Sequence, residues 1–297
     1  MKLTEKEFEV LVNIEREKRK LSQRELANFT NYSLGTINTL IADLQNKKLI
    51  DNNNSITNLG LKVLEPYRVK KAIFLAAGFG SRLVPITLNT PKPLVLVNGK
   101  RMIETLLDAV VKAEIPEIII VTGYLGEQFE ILKKKYPNIT IIENKKYNEA
   151  NNILSAYVVR DKLERSYVME ADFYLYNSNI IRKYEYHTNY LGIYKEVSDD
   201  WCLEVKNGII TKEKIGGYKC YQMLGMAYIN ECDGKKLKYD LEKVCNLPGG
   251  KEKYWEQTFL DVYKKDYEVH IRGCNEGDII EIDTFNELKQ IDKTYDV

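Results

Sequence analysis

From Ala72 onward, short apolar runs alternate with amphipathic ones, and few folds accommodate that rhythm. Ala72–Ala76, Glu117–Thr122 (EIIIVT), Ile139–Ile142 and Tyr167–Ala171 read as buried strands. Met102–Ala113, Gln128–Lys135 and Glu149–Leu163 read as helices between them. The alternation predicts an α/β fold: a doubly wound, mixed but mostly parallel sheet with helices on both faces. Ligands of such sheets bind beyond the carboxyl ends of the strands. Chemistry is therefore sought just after each strand.

The first 65 residues have a different rhythm. Phe8, Leu11, Val12 and Ile14 recur at helical spacing over residues 4–19. Ser22-Gln-Arg-Glu25 is a capping box opening a second helix, and Ser33 can cap a third with Ile37, Leu40, Ile41 and Leu44 as its apolar stripe. Residues 49–56 read as a hairpin with an Asn-rich tip, followed by a helix from Thr57 or Asn58 that stops before Pro66. Residues 1–65 thus form a domain of their own, 66–71 a linker, and 72–297 the α/β domain.

Composition narrows the chemistry by exclusion. The net charge is +1, which gives no global pull toward nucleic acid or membrane. No apolar run reaches the ~18 residues needed to span a bilayer, and the N-terminus has no signal core, so a cytoplasmic protein is expected. The five cysteines include no Cys-x-x-Cys pair and there are only two histidines, which argues against zinc.

The stretch Leu75-Ala76-Ala77-Gly78-Phe79-Gly80-Ser81-Arg82, continuing to Thr90-Pro-Lys-Pro-Leu94, carries the chemistry. Gly78 and Gly80 lack Cβ atoms, so the backbone can turn tightly and present N–H groups to phosphate oxygens. Arg82 can pair with a phosphate through two bonds. Lys92, on a proline-stiffened segment, adds a second fixed cation. Other glycine-rich readings fail on spacing: a dinucleotide fingerprint needs Gly at position 83, which is Leu, and no Gly-Lys-Ser/Thr of a P-loop exists.

This string is similar to the signature of the nucleotidyltransferases that make nucleoside-diphosphate sugars and CDP-alcohols. Within them, the chain most resembles bacterial choline-phosphate cytidylyltransferases, from Lys71 to about Ile291. Matching segments include GYLGEQFEILKKKY, NKKYNEANNILSAY, YVMEADFYLY, SDDWCLEV, YWEQ and EGDIIEIDTFNEL. The resemblance implies CTP and a small phosphorylated acceptor, phosphocholine first, with Mg²⁺ held by Asp172 and Asp283. It implies catalytic Arg82 and Lys92, and nucleotide binding by Leu75, Ala76, Ala77, Gly78, Gly80 and Ser81, with Gly123, Tyr124, Asn151, Asn152 and Ser155 around the base. On the acceptor side Trp201, Tyr254, Trp255 and Glu281 offer aromatic faces and a carboxylate, a combination that holds quaternary ammonium groups.

Two features depart from that family. Phe173 follows Asp172 where Asn is expected, which leaves another amino- or ammonium-bearing phosphate or phosphonate open as the acceptor; a sugar 1-phosphate is a third option, against which the aromatic and acidic acceptor residues argue. The first 65 residues are extra, and LSQRELANFTNYSLGTINTLIADLQNKKLI resembles the winged helix–turn–helix of MarR-type regulators. A nucleotide-sensing DNA-binding regulator is thus the competing reading. Ten Lys/Arg against nine Asp/Glu in this segment, and no cation on its third helix before Lys47, predict weak or dimer-dependent DNA binding at best. A homodimer is the candidate assembly.

Overall fold

The computed structural model describes residues 1–296. The chain forms two compact units, Met1–Arg68 with Tyr184–Tyr186, and Val69–Lys183 with His187 onward. The expected linker is not a free strap: Glu65–Tyr67 is a 3₁₀ turn of the first unit, and the first strand of the second unit begins at Lys71.

The first unit contains α1 (Glu5–Glu17), α2 (Gln23–Thr30), α3 (Leu34–Asn46) and α4 (Asn58–Leu64). Thr4 with Glu7, and Ser22 with Glu25, form reciprocal capping boxes that fix where α1 and α2 start. Asn31 ends α2 in the left-handed region, and Ser33 caps α3. Phe8, Leu11, Leu26, Ile37, Leu44 and Leu49 are fully buried together. The expected hairpin reduces to a single bridge between Ile50 and Ile56. Its turn is organised by the Asp51 carboxylate, which accepts the N–H groups of Asn53 and Ser55.

The second unit runs β1 (Lys71–Ala76), β2 (Leu96–Val97), β3 (Lys100–Arg101), α5 (Met102–Lys112), β4 (Glu117–Thr122), β5 (Ile139–Glu143), α6 (Ile153–Val158), β6 (Ser166–Glu170), β7 (Phe173–Leu175), β8 (Asn189–Lys206), β9 (Ile209–Ile229), α7 (Glu231–Asn246), β10 (His270–Cys274), β11 (Ile279–Glu281) and α8 (Phe285–Ile291). Seven strands make the main sheet in the order β10-β8-β9-β6-β1-β4-β5. β5, β4, β1 and β6 run parallel, β9 is antiparallel to β6 and β8, and β10 is parallel to β8. This is the mixed, mostly parallel α/β sheet expected.

The period of two explains both faces. Ala72, Phe74 and Ala76 of β1 pack with Ile118 and Ile120 under α5. Ile73, Leu75, Ile119 and Val121 pack on the other face under α6 and α7. Burying each large aliphatic side chain stabilises by roughly 1.5–3 kcal/mol. Two expected helices differ. Residues 126–134 form a 3₁₀ stretch, and α6 spans only six residues, because the chain before it is held in an irregular turn by the N–H of Asn151 bonding to Lys251.

No helix among the described residues is long and apolar enough to cross a membrane. The register brings Leu75 of β1 level with Glu170 of β6, and Ala76 level with Thr122 of β4. β11 pairs with β7, setting Glu281 opposite Phe173. The ends of β1, β6 and β11 therefore converge.

Candidate active site

Two cavities meet at these strand ends. The first, of about 290 Å³, is lined by Leu75, Ala76, Ala77, Gly78, Gly80, Ser81, Arg82 and Lys92, and on its other side by Tyr147, Asn151, Asn152 and Ser155. Gly80 adopts φ +62°, and a Cβ there would lie 2.8 Å from the Lys92 Cβ. The turn and the lysine can be this close only with glycine at position 80.

Lys92 is buried, at the start of a short 3₁₀ turn, Lys92–Leu94, that follows Pro91 and contains Pro93. Its Nζ donates to Asp172 Oδ2 and to Asp283 Oδ1, each at 2.7 Å. Arg82 Nη2 reaches the same Asp283 oxygen at 2.8 Å, yet the Arg82 side chain is 67% exposed and free to turn toward a ligand. Burial works to lower the Lys92 pKa, but its two carboxylate partners outweigh it and the net shift is upward. Burial likewise opposes ionisation of Asp283, and Lys92 and Arg82 overcome it, so that carboxyl is held below its usual range.

Carboxylates crowd the junction of the cavities. Glu170, Asp172 and Glu281 each offer an oxygen within 4.8 Å of the others. Asp172 Oδ1 is buried without a hydrogen-bond partner. Burial, together with the charges of Asp172 and Glu256, pushes the Glu170 carboxyl well above the ordinary glutamate range. Glu281 is pushed up to about 9 by desolvation and by the charges of Asp172, Asp283 and Glu170. Because Glu281 as a residue stays solvent-exposed, the crowding of like charge is the firmer of these causes. An orphaned carboxylate oxygen in such a hard-oxygen set suits Mg²⁺. The trio differs from the pair expected from the sequence: Asp283 joins it through the bridging Lys92.

The second cavity, of about 410 Å³, shares Arg82, Glu170, Asp172 and Asp283 with the first. Its outer walls are Tyr190, Asp200, Trp201, Tyr254, Glu256 and Glu281. Trp201 and Tyr254 meet edge to face, with centroids 5.9 Å apart and planes at 74°. Glu256 is only 7% exposed, and its Oε2 has no hydrogen-bond partner. Burial raises its pKa to about 8.

Known proteins align with this geometry. The nucleotidyl transferase family model matches residues 71–199. A 2-aminoethylphosphonate cytidylyltransferase from Lancefieldella rimae is 33% identical over 228 residues, covering 75% of this chain and 92% of that one. A choline-phosphate cytidylyltransferase from Streptococcus pneumoniae is 33% identical over 225 residues, covering 75% and 97%. The chain belongs to the cytidylyltransferase family. The solved structure of the CTP:phosphocholine cytidylyltransferase from Streptococcus pneumoniae superposes with a TM-score of 0.69, covering 76% of this chain and 99% of that one at 33% identity. The inositol-1-phosphate CTP transferase from T. maritima, 18% identical, shares the fold with a TM-score of 0.61 over 77% and 94% of the two chains.

Within this cytidylyltransferase, most residues singled out from sequence line one cavity or the other, and three do not. Trp255 is fully buried against Phe259, because the turn that places Tyr254 and Glu256 in the wall of the second cavity points the indole into the core. Gly123 and Tyr124 do not line the first cavity. The Tyr124 N–H donates to Ala77 O at 3.2 Å, and its ring packs on Phe79 at 5.2 Å. Sequence reasoning missed Glu170 and Glu256. The first had a signal: it stands two residues before Asp172 at a strand end, so both side chains face one way. The second had none, since nothing local tells a cavity-facing Glu from a solvated one.

Proposed function

We propose that this chain transfers the cytidylyl group of CTP to the phosphate of a small acceptor with a cationic head, phosphocholine first among them, and releases pyrophosphate. The observation that carries this reading is the opposite character of the two joined cavities. One offers glycine backbone, Arg82 and Lys92 to polyphosphate. The other offers aromatic faces and carboxylates to a cation. An acceptor phosphate oxygen would attack the α-phosphorus as the α–β phosphoanhydride bond breaks and pyrophosphate leaves with the bonding pair. The attacking oxygen is already anionic, so no protein nucleophile is required. Arg82 and Lys92 act by positioning and charge, Lys92 turning from the aspartates to phosphate oxygens. Asp172 and Asp283, with Glu170 and Glu281 beside them, are the residues we assign to Mg²⁺, which when bound supplies charge withdrawal at the α-phosphate.

A second acceptor class is favoured by one atom. Oε2 of Glu256, which lines the second cavity, has no partner within the chain, and a carboxyl group, protonated or not, keeps an oxygen that accepts from an N–H. A primary ammonium has three, and a trimethylammonium has none. Aminoethyl phosphonate or phosphate is therefore the alternative to phosphocholine. Pyrophosphate release should be measured over four nucleoside triphosphates and these acceptors. CTP with a cationic acceptor should dominate, and preference for a sugar 1-phosphate would overturn the reading.

For the first unit we propose, as a winged-helix module, only weak and salt-sensitive DNA binding. The exposed face of α3 presents Leu34, Asn38, Thr39, Ala42 and Asp43, without a cation. Lys47, the first basic residue after it, is paired with the buried carboxylate of Glu7. Phosphate contacts supply most DNA affinity, and here they fall to the cluster from Arg16 to Arg24. Tight, sequence-selective binding at physiological salt, in a titration of the full chain against its own promoter region, would contradict this.

A further inference from the structure

We infer that Asn151 and Asn152 are a positioning clip, tying the acceptor wall to the carboxylate that both cavities share. The inference deepens the transferase reading and rests on it for the meaning of the two cavities.

Each side-chain oxygen and nitrogen of the pair makes a hydrogen bond within the chain. The backbone N–H of Asn151 donates to Lys251 O at 2.9 Å, and its Nδ2 donates to Glu252 O at 3.3 Å. Its Oδ1 accepts the N–H of Asn152 at 2.7 Å. Asn152 Oδ1 accepts the N–H of Trp255 at 2.9 Å, and its Nδ2 donates to Glu170 Oε1 at 2.9 Å. A backbone N–H can only donate, so the Trp255 bond fixes the oxygen side of the amide and leaves the NH₂ facing Glu170.

The clip holds two parts of the reaction centre in one geometry. On one side is the turn bearing Tyr254 and Glu256, which forms the acceptor wall. On the other is Glu170, at the junction with Asp172 and Glu281. Glu170 is boxed in from behind as well: a Cβ on Gly225 would lie 2.7 Å from its Oε2. Only glycine leaves this carboxylate room, and only the Asn152 amide gives it a donor while holding Trp255.

The polarity of the Asn152–Glu170 bond gives the test. In Asn152→Asp a second carboxylate oxygen faces Glu170, while the Trp255 N–H keeps its acceptor. In the double variant Asn152→Asp/Glu170→Gln, the new amide donates to the new carboxylate and the bond is remade in reverse. Acceptor KM and Tm should be measured for the wild type, both single variants and the double variant. Asn152→Asp should raise acceptor KM about tenfold and lower Tm, the size of a lost hydrogen bond between buried groups. On the Glu170→Gln background the same change should cost less than about threefold in KM, with the Tm penalty shrinking in parallel. Penalties equal on the two backgrounds would overturn the clip. If the wild type transfers to no acceptor, the proposed function falls instead, and the Tm cycle alone decides whether the bond exists as drawn.

Discussion

The two cavities differ in how their walls are made. One wall of the first cavity is backbone and two cations on one continuous stretch, Leu75 to Lys92, with Tyr147, Asn151, Asn152 and Ser155 opposite. The acceptor side is assembled from β8, β9, the turn around Tyr254 and the end of β11. Triphosphate chemistry is common to every nucleotidyl transfer, and a local loop beyond a strand meets its demands. The cationic head is particular to one acceptor, and its site needs side chains brought together from afar. The difference predicts that substitutions on the two sides separate in kinetics, and that substitutions at the shared border do not.

The border should give the largest effect. Asp172→Asn should lower kcat by about 10²–10³-fold or more, with CTP and acceptor affected alike, because charge stabilisation at the reacting phosphate is lost. Near-wild-type turnover at saturating Mg²⁺ would remove Asp172 from the centre. Next comes Lys92→Ala, which should cost about 10²-fold in kcat/KM for CTP by deleting a buried cation from the triphosphate cradle. It would also leave Asp172 and Asp283 without their bridge. Unchanged CTP kinetics would make Lys92 a purely structural lysine.

Trp201→Ala should raise the acceptor KM by about 2- to 30-fold while leaving that for CTP near its starting value. An equal rise in both would erase the distinction between the cavities.

The smallest effect is on stability. Burial raises Glu213 to about 7 and Glu256 to about 8, from an unshifted 4.5. Between those values the folded chain holds protons that the unfolded chain has lost. Their contribution to stability is thus complete below the ordinary glutamate pKa and is lost as pH rises through about 7 and about 8. Without ligand, Tm should be lower at pH 9 than at pH 6, and Glu256→Gln should flatten that decline. A decline of the same size in the variant would count against a raised Glu256.

The same contrast explains what could be read from the sequence. The sheet was legible because β1 and β4 alternate faces that are both buried, and the nucleotide side because its glycines and cations are contiguous. Asp172 was legible as a residue beyond a strand. Trp255 was misleading, since an aromatic beside Tyr254 and Glu256 gives no local sign of pointing to the core. Asn151 and Asn152 look like base readers or helix caps in isolation, and only the turn at residues 251–255 reveals where their amides go. The six-residue α6 was overestimated because that long-range anchoring has no periodic signature.

The most direct test of the account is the identity of the product. Full-length protein with CTP, Mg²⁺ and an equimolar mixture of phosphocholine, aminoethyl phosphonate and glucose 1-phosphate should be followed by ³¹P NMR and mass spectrometry. The account predicts pyrophosphate together with a cytidylyl anhydride of one of the two cationic acceptors. A cytidylyl sugar as the main product, or an unchanged mixture, would contradict it.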